Sequence, residues 1–146
     1  MPEFAKDFNA EDALNSFRKS LKYYPIELQL VWLFEMLVII AYTKASEDGS
    51  SLIGFNKRSG NYVLTQSKTR VIISSILASD KILKLLETFR NYYVHKGPDQ
   101  AYKFYKDVFT KSNRRNEMNK LADLAGVTLN WNCSLYEILD VKASSN

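Results

Sequence analysis

Residues 89–95, Phe-Arg-Asn-Tyr-Tyr-Val-His, hold the side chains best suited to chemistry in this chain. His95 is the single histidine, and imidazole is the one side chain that ordinarily titrates near neutrality, as a proton shuttle requires. Arg90 is a permanent cation whose planar donor fork matches phosphate oxygens, and Asn91 follows it directly. These residue types suit phosphate chemistry. On a regular helix five residues rotate through about 500°, which leaves Arg90 and His95 roughly 140° apart. Convergence therefore requires the helix to deform. Gly97-Pro98 predicts such a break, because the residue before a proline avoids the α conformation, so His95 is expected in the last turn or just past it. The plain alternative is a histidine satisfying the last carbonyls of its helix, with Arg90 as a surface cation.

Other catalytic patterns are absent. The chain has no phosphate-cradling glycine loop, no HExxH, no GxSxG, no EF-hand loop and no Cys/His cluster. Its one cysteine, Cys133, forms no intramolecular disulfide and, beside a single histidine, completes no zinc site. It reads as a small, semi-buried hydrophobe in a reducing cytosol. No metal or cofactor is expected.

The elements that must position these residues are helical. With 146 residues, 46% hydrophobic and 25% charged, the chain has ordinary globular composition and buries roughly two-thirds of its unfolded surface. Collagen-like, low-complexity and disulfide-scaffold classes are excluded. The expected architecture is a single all-α domain over 1–146, an antiparallel helical bundle with one irregular loop or small hairpin at about 46–66 and a frayed tail at 143–146. Asn9 caps a first helix, followed by an apolar stripe at 13, 14, 17, 21 and 24. Pro25 opens a second helix running to about Ala45. Its most apolar stretch, Leu30–Tyr42, is 13 residues long with Glu35 inside, short of the roughly 20 a membrane span needs. It reads as the core helix of a cytoplasmic protein with no membrane partner. The N-terminus lacks the basic region and apolar run of a signal peptide.

Helix resumes near Ser67, and Ser79-Asp80 marks a fresh N-cap or a kink. Ile82, Leu85, Leu86, Phe89 and Tyr93 form one apolar stripe ended by Lys96-Gly97-Pro98. Pro98 opens a further helix with Ala101, Tyr105, Val108 and Phe109 inward. A shorter helix over about 115–125 stops at Gly126. Ser134-Leu135-Tyr136-Glu137 reads as a capping box opening a last one.

Charge is unevenly spread. Residues 67–120 carry 12 basic and 5 acidic side chains, a net +7, between flanks of −1 and −2. Such a band attracts polyanions or serves as a solvated face. Tyr92, Tyr93, Tyr102 and Tyr105 interleave with the basic residues, and stacking on single-stranded bases is one use for them; Tyr93 and Tyr105 also fit the core stripe. Trp32 and Trp131 read as core anchors. Glu35 either pairs with Arg90 or His95, or faces a solvated groove or a dimer seam.

Phe89-Arg90-Asn91-x-x-x-His95, at a helix end before a Gly-Pro turn in the second half of a small helical bundle, resembles the HEPN superfamily. Its hallmark is an arginine followed after four to six residues by histidine, often with a polar residue directly after the arginine. The motif likeness covers residues 89–97. The resemblance implies metal-independent RNA cleavage, in which a ribose 2′-hydroxyl attacks the adjacent phosphate and leaves a 2′,3′-cyclic end, in a toxin–antitoxin or phage-defence setting. It implies His95 as general acid or base, Arg90 stabilising charge on the phosphorane, and Asn91 orienting His95 or a phosphate oxygen. Because one chain holds one histidine, it also implies a homodimer with the two motif helices facing across a groove. Lys96, Lys103, Arg114 and Arg115 would line that groove and hold the RNA backbone. Family toxins regulated by a nucleotidyltransferase antitoxin often carry a tyrosine two residues after the histidine. This chain has Gly97 there, and its nearest downstream tyrosine is Tyr102. The alternatives are a non-catalytic HEPN module that binds a nucleotide or a partner protein such as a nucleotidyltransferase, and an unrelated helical adaptor.

Overall fold

The computed structural model describes residues 3–135. Among these residues six α-helices, α1 (Ala10–Ser20), α2 (Ile26–Glu47), α3 (Gln66–Leu77), α4 (Lys81–Asn91), α5 (Pro98–Val108) and α6 (Ser112–Ala125), form a helical bundle. A small sheet accompanies them, with strands β1 (Glu3–Phe4), β2 (Gly54–Asn56) and β3 (Asn61–Val63) in the order β1-β3-β2, both pairs antiparallel.

The bundle is built around α2. Leu30, Leu33, Phe34, Met36, Leu37 and Ala41 are essentially inaccessible to solvent, so α2 is apolar on most sides because it has neighbours on most sides. Its 22 residues are long and apolar enough to cross a membrane by length and composition, and it packs as the bundle's core. Pro25 precedes the first helical residue instead of occupying it; with φ −59° and ψ 156° it holds the N-cap position.

The expected signals at Asn9 and Gly126 hold, and Thr65 supplies a cap for α3 not expected from the sequence. Asn9 Oδ1 accepts from the Asp12 amide at 3.1 Å, Thr65 Oγ1 accepts from the Lys68 amide at 3.3 Å, and Gly126 ends α6 at φ 73°. A Cβ at Gly126 would sit 3.1 Å from Arg18 Nε, and that nitrogen donates to the Ala125 carbonyl at 3.0 Å. A cation from α1 thus covers the negative end of α6. Asp80 departs from expectation. It occupies the position before α4 but makes no capping bond, because its carboxylate accepts from Ser74 Oγ at 3.2 Å and lies 4.0 Å from Arg70. The left-handed Ala78, φ 54°, makes the break between α3 and α4.

The 46–66 segment contains the hairpin, and the N-terminus joins it as a third strand. Glu3 accepts hydrogen bonds from Asn56 Nδ2 at 2.8 Å and Asn61 Nδ2 at 3.1 Å. These bonds, with Asn61 the larger contributor, hold its carboxyl below the usual range. Cys133 is exposed, not semi-buried. The Ile26 amide donates to its carbonyl at 2.7 Å, which secures the backbone there while the thiol faces solvent. The expected capping box extends past the described residues; within them, Ser134 Oγ is bonded to the Glu27 carboxylate.

Candidate functional site

An aromatic cluster sets the end of α4. Phe89 is fully buried and meets Phe109 edge-on at 5.7 Å and Tyr105 at 6.2 Å between ring centroids. This packing fixes α4 against α5 and fixes which residues fall on the opposite face. The next residues, Arg90 and Asn91, are therefore half-buried at the bundle surface.

The helix does not stay regular. From Tyr92 to Lys96 it opens into a single π turn, closed by the Gly97 amide donating to the Tyr92 carbonyl at 3.1 Å. Gly97 then takes φ 102°, a conformation that a side chain with a Cβ rarely adopts, and Pro98 occupies the first turn of α5. A π turn closes i to i+5 in place of i to i+4, so it rotates less per residue. It narrows the divergence that a regular helix would impose between Arg90 and His95.

Arg90 is oriented from two sides. Its Nε donates to Glu35 Oε1 at 3.1 Å, with the two side chains 19% and 32% exposed. Its Nη1 donates to Asn91 Oδ1 at 3.3 Å. Asn91 thus aligns the guanidinium, where the sequence left histidine or phosphate as its target. Of the two partners weighed for Glu35, the structure selects Arg90. His95 is exposed, and among the described residues its imidazole makes no hydrogen bond; the exposed Val94 lies beside it. The arrangement holds an oriented, partly exposed cation, and a solvated acid–base group one turn away. Comparison with protein-family models, with curated proteins and with solved structures finds no match to this chain.

The four basic residues expected along an RNA track fall into two kinds. Lys96 and Lys103 are exposed and, among the described residues, have no ion pair. Arg114 is bonded to Glu117 at 3.2 Å. Arg115 donates to the Phe109 carbonyl at 2.7 Å and lies over the Trp131 ring at 5.0 Å. Arg70, elsewhere in the basic band, lies 3.3 Å from Glu87 and ties α3 to α4. Among the described residues, Lys96 and Lys103 therefore present their charge without a carboxylate partner.

Beside the π turn runs a groove of about 390 Å³ lined by Tyr92, Gln100, Lys103, Phe104 and Asp107. Tyr92 and Phe104 meet edge-to-face at 5.5 Å. Sequence reasoning singled out Tyr92 and Lys103 here but passed over Gln100, Phe104 and Asp107. Their signal was their spacing: positions 100, 103, 104 and 107 share one face of a helix.

Tyr93, on the same turn, packs toward Phe89 at 6.2 Å. Burial first, and the Glu27 carboxylate second, raise its phenol above the ordinary value of 10.0. It belongs to the core stripe, as Tyr105 does.

Proposed function

We propose that this chain is a HEPN-type, metal-independent endoribonuclease that acts as a homodimer. The observation that carries the reading is the π turn separating an oriented Arg90 from a solvated His95, since π turns are rare and concentrate at functional sites. In the reaction a base takes the proton from a ribose 2′-hydroxyl. The 2′-oxygen bonds to phosphorus, the bond from phosphorus to the 5′-oxygen breaks, and an acid protonates that oxygen. The products are a 2′,3′-cyclic phosphate and a 5′-hydroxyl. His95 serves as one proton-transfer group and Arg90 neutralises charge on the phosphorane. The second proton-transfer group is His95 of a second copy, because each chain has one histidine. Asn91 and Glu35 position Arg90, and Lys96 and Lys103 hold the RNA backbone. A toxin–antitoxin or phage-defence role belongs to this reading.

A second reading is a HEPN-like module that binds a nucleotide or partner protein without cleavage. The Glu35–Arg90 ion pair favours it, because it already neutralises the cation that cleavage uses. Incubation of RNA with the protein in excess EDTA separates the two. Wild type is expected to yield cyclic-phosphate ends. Arg90→Ala and His95→Ala are each expected to lower the rate by about 10²–10⁴-fold. Intact RNA with a folded wild-type dimer selects the binding module, and cleavage that survives both substitutions excludes the motif.

A further inference from the structure

We propose that the groove between the π turn and α5 is a base-recognition subsite selective for guanine; the inference rests on the RNA-directed reading above and supplies its sequence preference. The groove has about 390 Å³ of space, within the roughly 300–1,000 Å³ usual for small-molecule sites. It begins at Tyr92, three residues before His95 on the same turn, so a base seated there belongs to a nucleotide close to the reacting phosphate.

Each wall residue offers a distinct contact. Tyr92 and Phe104 are half-buried and fixed by an edge-to-face contact, so the ring surface they keep open to the groove can stack on a base at little ordering cost. Gln100, Lys103 and Asp107 are exposed, and among the described residues none of them has a side-chain hydrogen bond or ion pair, so their bonding capacity remains for a ligand. The residues on the α5 side, 100, 103, 104 and 107, lie on a single face of that helix and project together toward Tyr92.

The chemistry of that face discriminates among bases. An ionised carboxylate accepts two parallel N–H bonds. Of the four RNA bases, guanine alone presents two adjacent donors, N1–H and the N2 amino group, on its pairing edge. Asp107 accepts from that pair, and the Gln100 amide donates to O6. Adenine and cytosine each present one donor beside an acceptor nitrogen, which a carboxylate repels, and uracil places its single N–H between two carbonyls. The Lys103 ammonium pairs with a phosphate and is indifferent to the base.

Titration of the intact protein with 5′-GMP, 5′-AMP, 5′-CMP and 5′-UMP, followed by the ring resonances of Tyr92 and Phe104, tests this without reference to cleavage. Wild type is expected to bind GMP at least about tenfold more tightly than the others. Asp107→Asn is expected to weaken GMP by about tenfold, to leave UMP unchanged, and to leave AMP and CMP bound at least as tightly as before because the carboxylate that repels their acceptor nitrogen is gone. Lys103→Ala is expected to weaken all four alike. Both residues are exposed, and circular dichroism verifies that each variant folds. Equal binding of the four nucleotides, binding of none, or equal loss for all four in Asp107→Asn overturns the proposal. Mapping of RNA ends supplies the second arm: guanine at a fixed position from the cut in wild type, and loss of that preference in Asp107→Asn. Guanine-selective binding without cleavage retains the subsite, as a site for a free guanine nucleotide, and removes the nuclease reading. Cleavage with no guanine preference and no GMP selectivity does the reverse.

Discussion

Glu27 and Glu35 lie two turns apart on α2, yet their surroundings give them opposite roles. Glu27 is fully buried. Its two carboxylate oxygens accept from the Ser134 hydroxyl at 2.5 Å and the Leu135 amide at 3.1 Å. Nearby, buried Gln29 donates to the Tyr24 carbonyl at 2.6 Å and accepts from the Asn130 amide at 3.0 Å. Every one of these contacts ties the start of α2 to neighbouring chain, so that end is structural. Glu35 is 32% exposed and holds a guanidinium that is itself 19% exposed. A pair left partly open to water contributes little to stability, about 0–1 kcal/mol, and its consequence is instead the direction in which Arg90 points. Residue type alone does not decide whether a carboxylate supports the fold or a site. What decides is whether its partners are backbone and hydroxyl groups removed from water, or a cation with donors left over for a ligand.

The largest effect is expected at the buried end. Glu27→Ala removes the buried acceptor of the Ser134 hydroxyl and the Leu135 amide, and should cost about 3 kcal/mol, a fall of about 10 °C in Tm. Calorimetry checks this, and an unchanged Tm would erase the contrast between the two ends. Glu35→Ala should leave stability within about 1 kcal/mol of wild type and, on the nuclease reading proposed above, slow RNA cleavage by about 10–100-fold through misalignment of Arg90. Glu35→Gln, which keeps an acceptor for Arg90 Nε, should restore most of the rate. A rescue of that kind separates positioning from folding; a Tm loss as large as that of Glu27→Ala would make Glu35 structural as well.

The smallest effect links the two ends through Tyr93. Its raised phenol pKa means that its contribution to stability is complete below the ordinary tyrosine value of 10.0 and is lost as the pH rises through the folded value. Glu27→Gln removes the weaker of the two causes, so ultraviolet titration against a Tyr93→Phe reference should show Tyr93 moving part of the way back toward 10.0, with the burial contribution remaining. No movement would mean that Glu27 does not act at the π turn.

Features legible in the sequence were those decided within a few residues. Asn9, Gly126 and Pro98 each act on backbone groups no more than one turn away, so their types and spacing were sufficient to place helix ends. The Gly97-Pro98 break also announced that the motif helix would not continue regularly past His95. What was not legible depended on residues distant in the chain. Glu35 meets Arg90 across 55 positions, and nothing local distinguishes that partner from His95. The third strand forms because Glu3 bonds two asparagines more than fifty residues away. Asp80 looks like a cap until Ser74 and Arg70 claim its carboxylate. Arg114 and Arg115 read as free cations until Glu117, the Phe109 carbonyl and the Trp131 ring are brought to them.

By itself, then, the sequence determined the helical class, most of the helix boundaries, the apolar stripes and the unusual pairing of one arginine with the only histidine, because propensity, capping and periodicity operate over one or two turns. Tertiary structure alone decided which charges are neutralised, which face the solvent and which line the groove beside the π turn, because an ion's partner and its exposure depend on which elements pack together in space, and short-range pattern carries no information about that.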